Sequence, residues 1–150
     1  MSDEANNKAN EPANDKATSK DEEDKSKFDW VTARSQCSLP NVFHALRLEV
    51  EEDVKTRNAL RPNNSPYEFS VVEEGDHFIA LLEAKDVRRS VRFSLAEHAI
   101  LVRDDQGQKT LDVIVFFTDD GQCRLKVNEK ELELWQVRRM ALEELMFRSY

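Results

Sequence analysis

The sequence predicts an α+β fold, a curved antiparallel sheet of five to seven strands flanked by an N-terminal and a C-terminal amphipathic helix, on three observations. Apolar residues recur at three- and four-residue steps near both ends of the folded part, the signature of a helix that buries one stripe. Between those stretches the apolar period falls to two, as in strands with one face turned inward. Short turn sequences, each holding one of the glycines 75, 107 and 121, separate the alternating runs and favour hairpins over crossovers.

The first 27 residues carry five Lys, eight Asp or Glu and no aromatic residue, so they bury too little apolar area to offset the entropy of ordering. A disordered polar leader is expected over 1–27 and a single α+β domain over 28–150. The acidic run Asp21-Glu22-Glu23-Asp24 reads as solubilising, with a docking tag for a basic partner as the alternative. Phe28 and Trp30 share one side of an extended segment, which predicts an edge strand or strap over 28–31.

Ser38 is placed to cap a helix, and Pro40 falls in the first turn, where its missing N–H costs least. Leu39, Val42, Phe43, Leu46, Val50 and Val54 form the apolar stripe of that helix, predicted to end near Asn58 before the prolines at 62 and 66. The strand region opens at Tyr67. Phe69 and Val71 alternate with polar residues, Glu74-Gly75-Asp76 turns the chain, and His77 to Ala84 returns. Val91, Phe93 and Leu95 share the inner face of the next strand. The loop 96–99 then sets Ile100 against Leu95, Val102 against Phe93 and Arg92 directly across from Arg103. Leu111, Val113, Val115 and Phe117 continue that face. Asp119-Asp120-Gly121 turns the chain into Cys123, Leu125 and Val127, and Asn128-Glu129-Lys130 makes a last turn. Leu134, Val137, Ala141 and Leu145 give the final helix its stripe, widened by Trp135, Leu142 and Met146. The order is similar in outline to pleckstrin-homology-like barrels and helix-grip ligand carriers, except that a long helix precedes the sheet. Such an architecture does not fix a function.

The formal charge of −8 argues against a general phosphate-backbone binder, and the chain without residues 1–27 still holds 17 basic and 22 acidic side chains. No nucleic-acid partner and no membrane association is expected. A cytoplasmic location follows from the lack of an apolar leader, and Cys37 and Cys123 are expected to be reduced, Cys123 as a small buried hydrophobe. His44, His77 and His98 form no close ligand pair, and neither a metal nor a cofactor is expected.

Function is therefore expected to be non-catalytic: a protein-binding or adaptor domain acting through its sheet face or its helices. Two features select the sheet. Ile114 and Phe116 have the wrong parity for the inner face, so something must cover them: a helix, the 28–31 strap, a second copy of the chain or a partner. Arg88, Arg92 and Arg103 lie on the same outer face, where facing arginines invite an anionic bridge, with an ion pair from Asp112 to Arg103 as the purely structural alternative. Ile114, Phe116, Arg88, Arg92 and Arg103 are thus the candidate partner-binding residues. One alternative is a small-ligand carrier with a cavity among Phe93, Phe117, Trp135 and Met140. The other is an unrecognised hydrolase or transferase using Cys37, His44 and Asp112.

Overall fold

The computed structural model describes residues 27–148, so the leader expected over 1–27 lies almost wholly outside the described residues. The chain divides into two units, Met1–Thr32 and Ala33–Tyr150. Of the first, only the segment from Lys27 is described. It is not the extended strap expected from Phe28 and Trp30, because helix α1 (Trp30–Gln36) already begins at Trp30. The Asp29 carboxylate accepts from the Thr32 N–H (3.0 Å) and the Thr32 hydroxyl (2.7 Å), an N-cap that selects helix and lowers the Asp29 pKa.

In the second unit, α2 (Leu39–Leu60) is followed by seven strands, β1 (Glu68–Glu74), β2 (His77–Ala84), β3 (Val87–Leu95), β4 (Ile100–Asp104), β5 (Thr110–Phe117), β6 (Cys123–Val127) and β7 (Lys130–Leu132), and then by α3 (Leu134–Phe147). The strands form one antiparallel meander in sequence order, and β1 and β7 remain open edges. This is the α+β architecture expected, with the strand number at the top of the expected range.

Local chemistry sets the element ends. The Ser38 side chain accepts from the Asn41 N–H at 3.3 Å with Pro40 in the first turn of α2, and Gln136 Oε1 accepts from the Glu133 N–H at 2.8 Å at the start of α3. Gly75 (φ +62°) supplies the left-handed residue that a two-residue hairpin requires between Glu74 and His77. At the β6–β7 hairpin, Asn128 (φ +53°) and Glu129 (φ +66°) do the same without glycine.

The expected register holds: Leu95 faces Ile100, Phe93 faces Val102 and Arg92 faces Arg103. Inward residues of β1 to β7, including Phe69, Phe78, Phe93, Val102, Val113 and Leu125, form one cluster with Leu46, Val50 and Val54 of α2 and Val137, Ala141, Leu142, Leu145 and Met146 of α3. The Phe78 and Phe93 rings stack at 4.6 Å and are fully buried. Both long helices therefore cover the same face of the sheet, and their mutual docking is tightened by Arg138 of α3. Its Nε donates to Asp53 of α2 at 2.7 Å, and its Nη1 donates to Glu49.

Three further expectations fail. Cys37 and Cys123 are not free thiols but a disulfide with a Cα–Cα separation of 5.4 Å. Nor is Cys123 buried: it opens β6 beside the Asp119–Gly121 turn and is exposed, whereas Cys37 is 4% exposed. Trp135 does not widen the buried face of α3. It lies one position after Leu134, rotated about 100° around the helix, and stays half exposed.

Candidate binding surfaces

With α2 and α3 on one side of the sheet, the outward residues of β2 to β6 form an uncovered face as far as these two helices are concerned. Its rows follow directly from the pairing. Val72, Ile79, Arg92, Arg103 and Thr110 lie side by side across β1 to β5. Glu74, His77, Ser94, Leu101 and Asp112 form the adjacent row. On β5 and β6, Ile114 pairs with Lys126 and Phe116 with Arg124. Ile114 is 39% exposed, and Phe116 and Leu101 are partly so. The Lys126 ammonium sits 4.9 Å from the Phe116 ring centroid, a cation–π contact at the surface.

The arginines of this face are differently engaged. Arg103 donates to the carbonyls of Val102 (3.0 Å) and Leu111 (3.1 Å) and to Asp112 Oδ1 (3.1 Å). Asp112 thus has the partner expected of it, and Arg103 is held flat on the strands. Arg92, facing Arg103, turns the other way. Its Nη2 lies 3.3 Å from both ring nitrogens of His77, so the guanidinium rests against the imidazole, which Glu74 (3.4 Å) and Asp76 (3.2 Å) flank. These carboxylates offset the repulsion between the two arginines. Arg88 is peripheral, exposed and 3.8 Å from Glu83, while Arg124 reaches Glu131 at 3.3 Å. Ile114, Phe116, Arg92 and Arg103 share one face, as their parity in the sequence implies. Lys126 and Arg124 were not among the expected residues, and the β5–β6 pairing brings them beside the apolar pair.

A second surface lies between α2 and α3 on the far side of the molecule. A groove of about 390 Å³ is lined by Arg57, Leu60, Trp135, Leu142, Met146 and Phe147, with Leu60, Trp135 and Phe147 exposed. Arg57 Nε donates to the Met146 carbonyl at 2.9 Å, and its guanidinium lies between the rings of Phe69 (5.2 Å) and Phe147 (5.1 Å). On the groove rim, Glu143 accepts from Arg139 and raises the Arg139 pKa further above its ordinary value. Of the residues expected to enclose a ligand, Phe93 is fully buried against Phe78, whereas Trp135 lines this open groove.

The residues considered for catalysis do not converge. Cys37 is bonded to Cys123, His44 is exposed on α2 within 3.2 Å of Arg47, and Asp112 lies on the outer sheet face with Arg103. Among the described residues no group of three or more His, Cys, Asp or Glu side chains is arranged to hold a metal ion. Among the described residues no helix is long and apolar enough to cross a membrane. No protein-family model, curated protein or solved structure matches the chain.

Proposed function

We propose that this protein is a non-catalytic protein-binding module, and that it docks a partner protein through the outer face of β3 to β6. The observation that carries the reading is the two-sided apolar character of β5. Leu111 and Val113 are buried under the helices, yet Ile114 and Phe116 face away from them with solvent access. A sheet face exposed only to water would carry polar residues there. Aromatic and apolar anchors framed by arginine are the usual composition of an interface core. On β6, Lys126 stands opposite Ile114 and against the Phe116 ring and Arg124 stands opposite Phe116, while Arg92 lies on the same face two strands away. The partner surface that fits is an apolar side chain ringed by Asp or Glu. A cytoplasmic location belongs to the same proposal and requires the Cys37–Cys123 disulfide to be a transient one, since lasting disulfides are rare in that compartment.

The test compares the wild-type chain with Phe116→Asp and Arg92→Glu in sedimentation and in retention of proteins from extracts of the source cells. The proposal expects specific proteins retained by the wild type to be lost with Phe116→Asp, and Arg92→Glu to weaken their retention in a salt-dependent way. It fails if Phe116→Asp unfolds the domain, or if both variants retain the same proteins as the wild type. Loss of self-association alone would make the partner a second copy of this chain and overturn the acidic-partner reading.

The groove between α2 and α3 supports a second reading, a carrier of a small apolar ligand with an anionic group. Arg57 favours it, since its guanidinium stands beside exposed Trp135, Leu60 and Phe147 and, among the described residues, donates to a backbone carbonyl and to no carboxylate. Saturable binding of a fatty acid, abolished by Arg57→Ala and untouched by Phe116→Asp, would establish this alternative.

A further inference from the structure

The two sulfurs of the disulfide differ in environment. Cys37 is 4% exposed and packs at the start of α2, one position before the cap Ser38. Cys123 is exposed and borders an open cleft of about 280 Å³ lined by Val42, Ala45, Leu125, Leu132 and Leu134. A thiolate attacks a disulfide at the sulfur it can reach and expels the other, faster when the departing thiol ionises readily. Access selects Cys123 as the electrophile. The surroundings of Cys37 favour its departure, because it adjoins a helix N-terminus and Arg34 Nη1 donates to its carbonyl at 3.3 Å. Both features place positive charge near Cys37 and act against its burial and against the Phe116 carbonyl oxygen, 3.4 Å from its Sγ.

We propose that the Cys37–Cys123 disulfide is a thiol-exchange site at which a small-molecule thiol attacks Sγ of Cys123 and Cys37 leaves. In this step the incoming thiolate forms a bond to Cys123 Sγ, the Cys37–Cys123 bond breaks, and Cys37 departs with the electron pair and takes a proton from water. A second thiol then attacks the external sulfur of the mixed disulfide. It releases the small-molecule disulfide and leaves both cysteines reduced, so two thiols are oxidised for one protein disulfide reduced. Disulfides in reducing compartments are mostly of this transient kind. The exchange frees the start of α2 from β6. It does so at the end of the strands that carry Phe116 and Arg124, because Cys123 pairs with Phe117 in the sheet.

The experiment incubates the native, oxidised full chain with reduced glutathione, quenches early time points with acid and N-ethylmaleimide, and maps both cysteines by mass spectrometry. The proposal expects nearly all protein-bound glutathione on the Cys123 peptide and the maleimide on the Cys37 peptide. Glutathione on Cys37, an equal division, or no exchange unless denaturant is added would each overturn it. So would two maleimide-reactive thiols in the purified chain before glutathione is added. As a second measurement, folded Cys37→Ser should take up glutathione from its disulfide form, and Cys123→Ser should do so only after unfolding. Equal uptake by the two native variants contradicts the assignment.

Discussion

Cys37 and Cys123 stand 86 positions apart in sequence and 5.4 Å apart between Cα atoms, and the bond between them ties the start of α2 to the sixth strand of the sheet. The loop it closes spans all of α2 and β1 to β5. A cross-link of that span removes much of the freedom of the unfolded chain, about 4 to 5 kcal/mol in the chain-entropy account. Denaturant unfolding of the oxidised and reduced chains, at matched pH, should differ by about 2 to 5 kcal/mol. Coincident unfolding curves would mean that the bond constrains neither state.

Burial separates two aromatic residues that composition alone treats alike. Phe93 is fully buried in a stack with Phe78, and Phe93→Ala should cost about 3 to 5 kcal/mol. Trp135 is half exposed beside the α2–α3 groove, and Trp135→Ala should cost less than about 1 kcal/mol. Urea denaturation midpoints of the two variants measure the contrast directly.

Asn58 binds the end of α2 to the open edge of the sheet. Its Nδ2 donates to the Phe69 carbonyl at 2.8 Å and its Oδ1 accepts from the Phe69 N–H at 3.0 Å, so one side-chain amide satisfies both edge groups of β1 as a neighbouring strand would. Asn58→Ala should destabilise the domain by about 1 to 3 kcal/mol, because a buried donor and acceptor lose their partners. Asn58→Asp should cost at least as much, since a second acceptor would then face the Phe69 carbonyl. Chemical denaturation at pH 7 checks both.

The β6–β7 hairpin holds a correctable strain. Glu129 occupies φ +66° in a turn whose two central residues both need positive φ, the geometry that Asn-Gly fills best. Glu129→Gly should therefore raise stability by about 0.5 to 1 kcal/mol, read as a higher unfolding midpoint with an unchanged slope.

The meander was legible because its determinants are local. Period-two alternation, glycine-bearing turns and the short 96–99 loop fix the pairing, and even the opposition of Arg92 and Arg103 follows from them. The inner face of β5 was legible as well, because parity sets Leu111 and Val113 with Phe93 and Val102, but whether a helix also covers Ile114 and Phe116 was not, since β5 is apolar on both sides and only tertiary packing decides it. The disulfide was hidden for a similar reason: two cysteines 86 positions apart carry no spacing signal, and their meeting depends on where α2 lies against the sheet. Over Phe28 to Val31 two local signals compete: the alternating aromatics suit a strand, whereas the Asp29 cap makes a helix. Of the outer sheet face, the residues on β3 to β5 could be read from parity, whereas Lys126 and Arg124 needed the β5–β6 register.

The most direct measurement of the proposed binding face is site-specific photocrosslinking in the source cells, with p-benzoylphenylalanine in place of Ile114 on the sheet face or of Leu60 in the helix groove. A discrete higher-mass product from position 114, absent from position 60 and lost when Phe116→Asp is added to the same chain, is the predicted result. A product from position 60 but not 114, or one from 114 that survives Phe116→Asp, would contradict the assignment of the outer face of β3 to β6 as the docking surface.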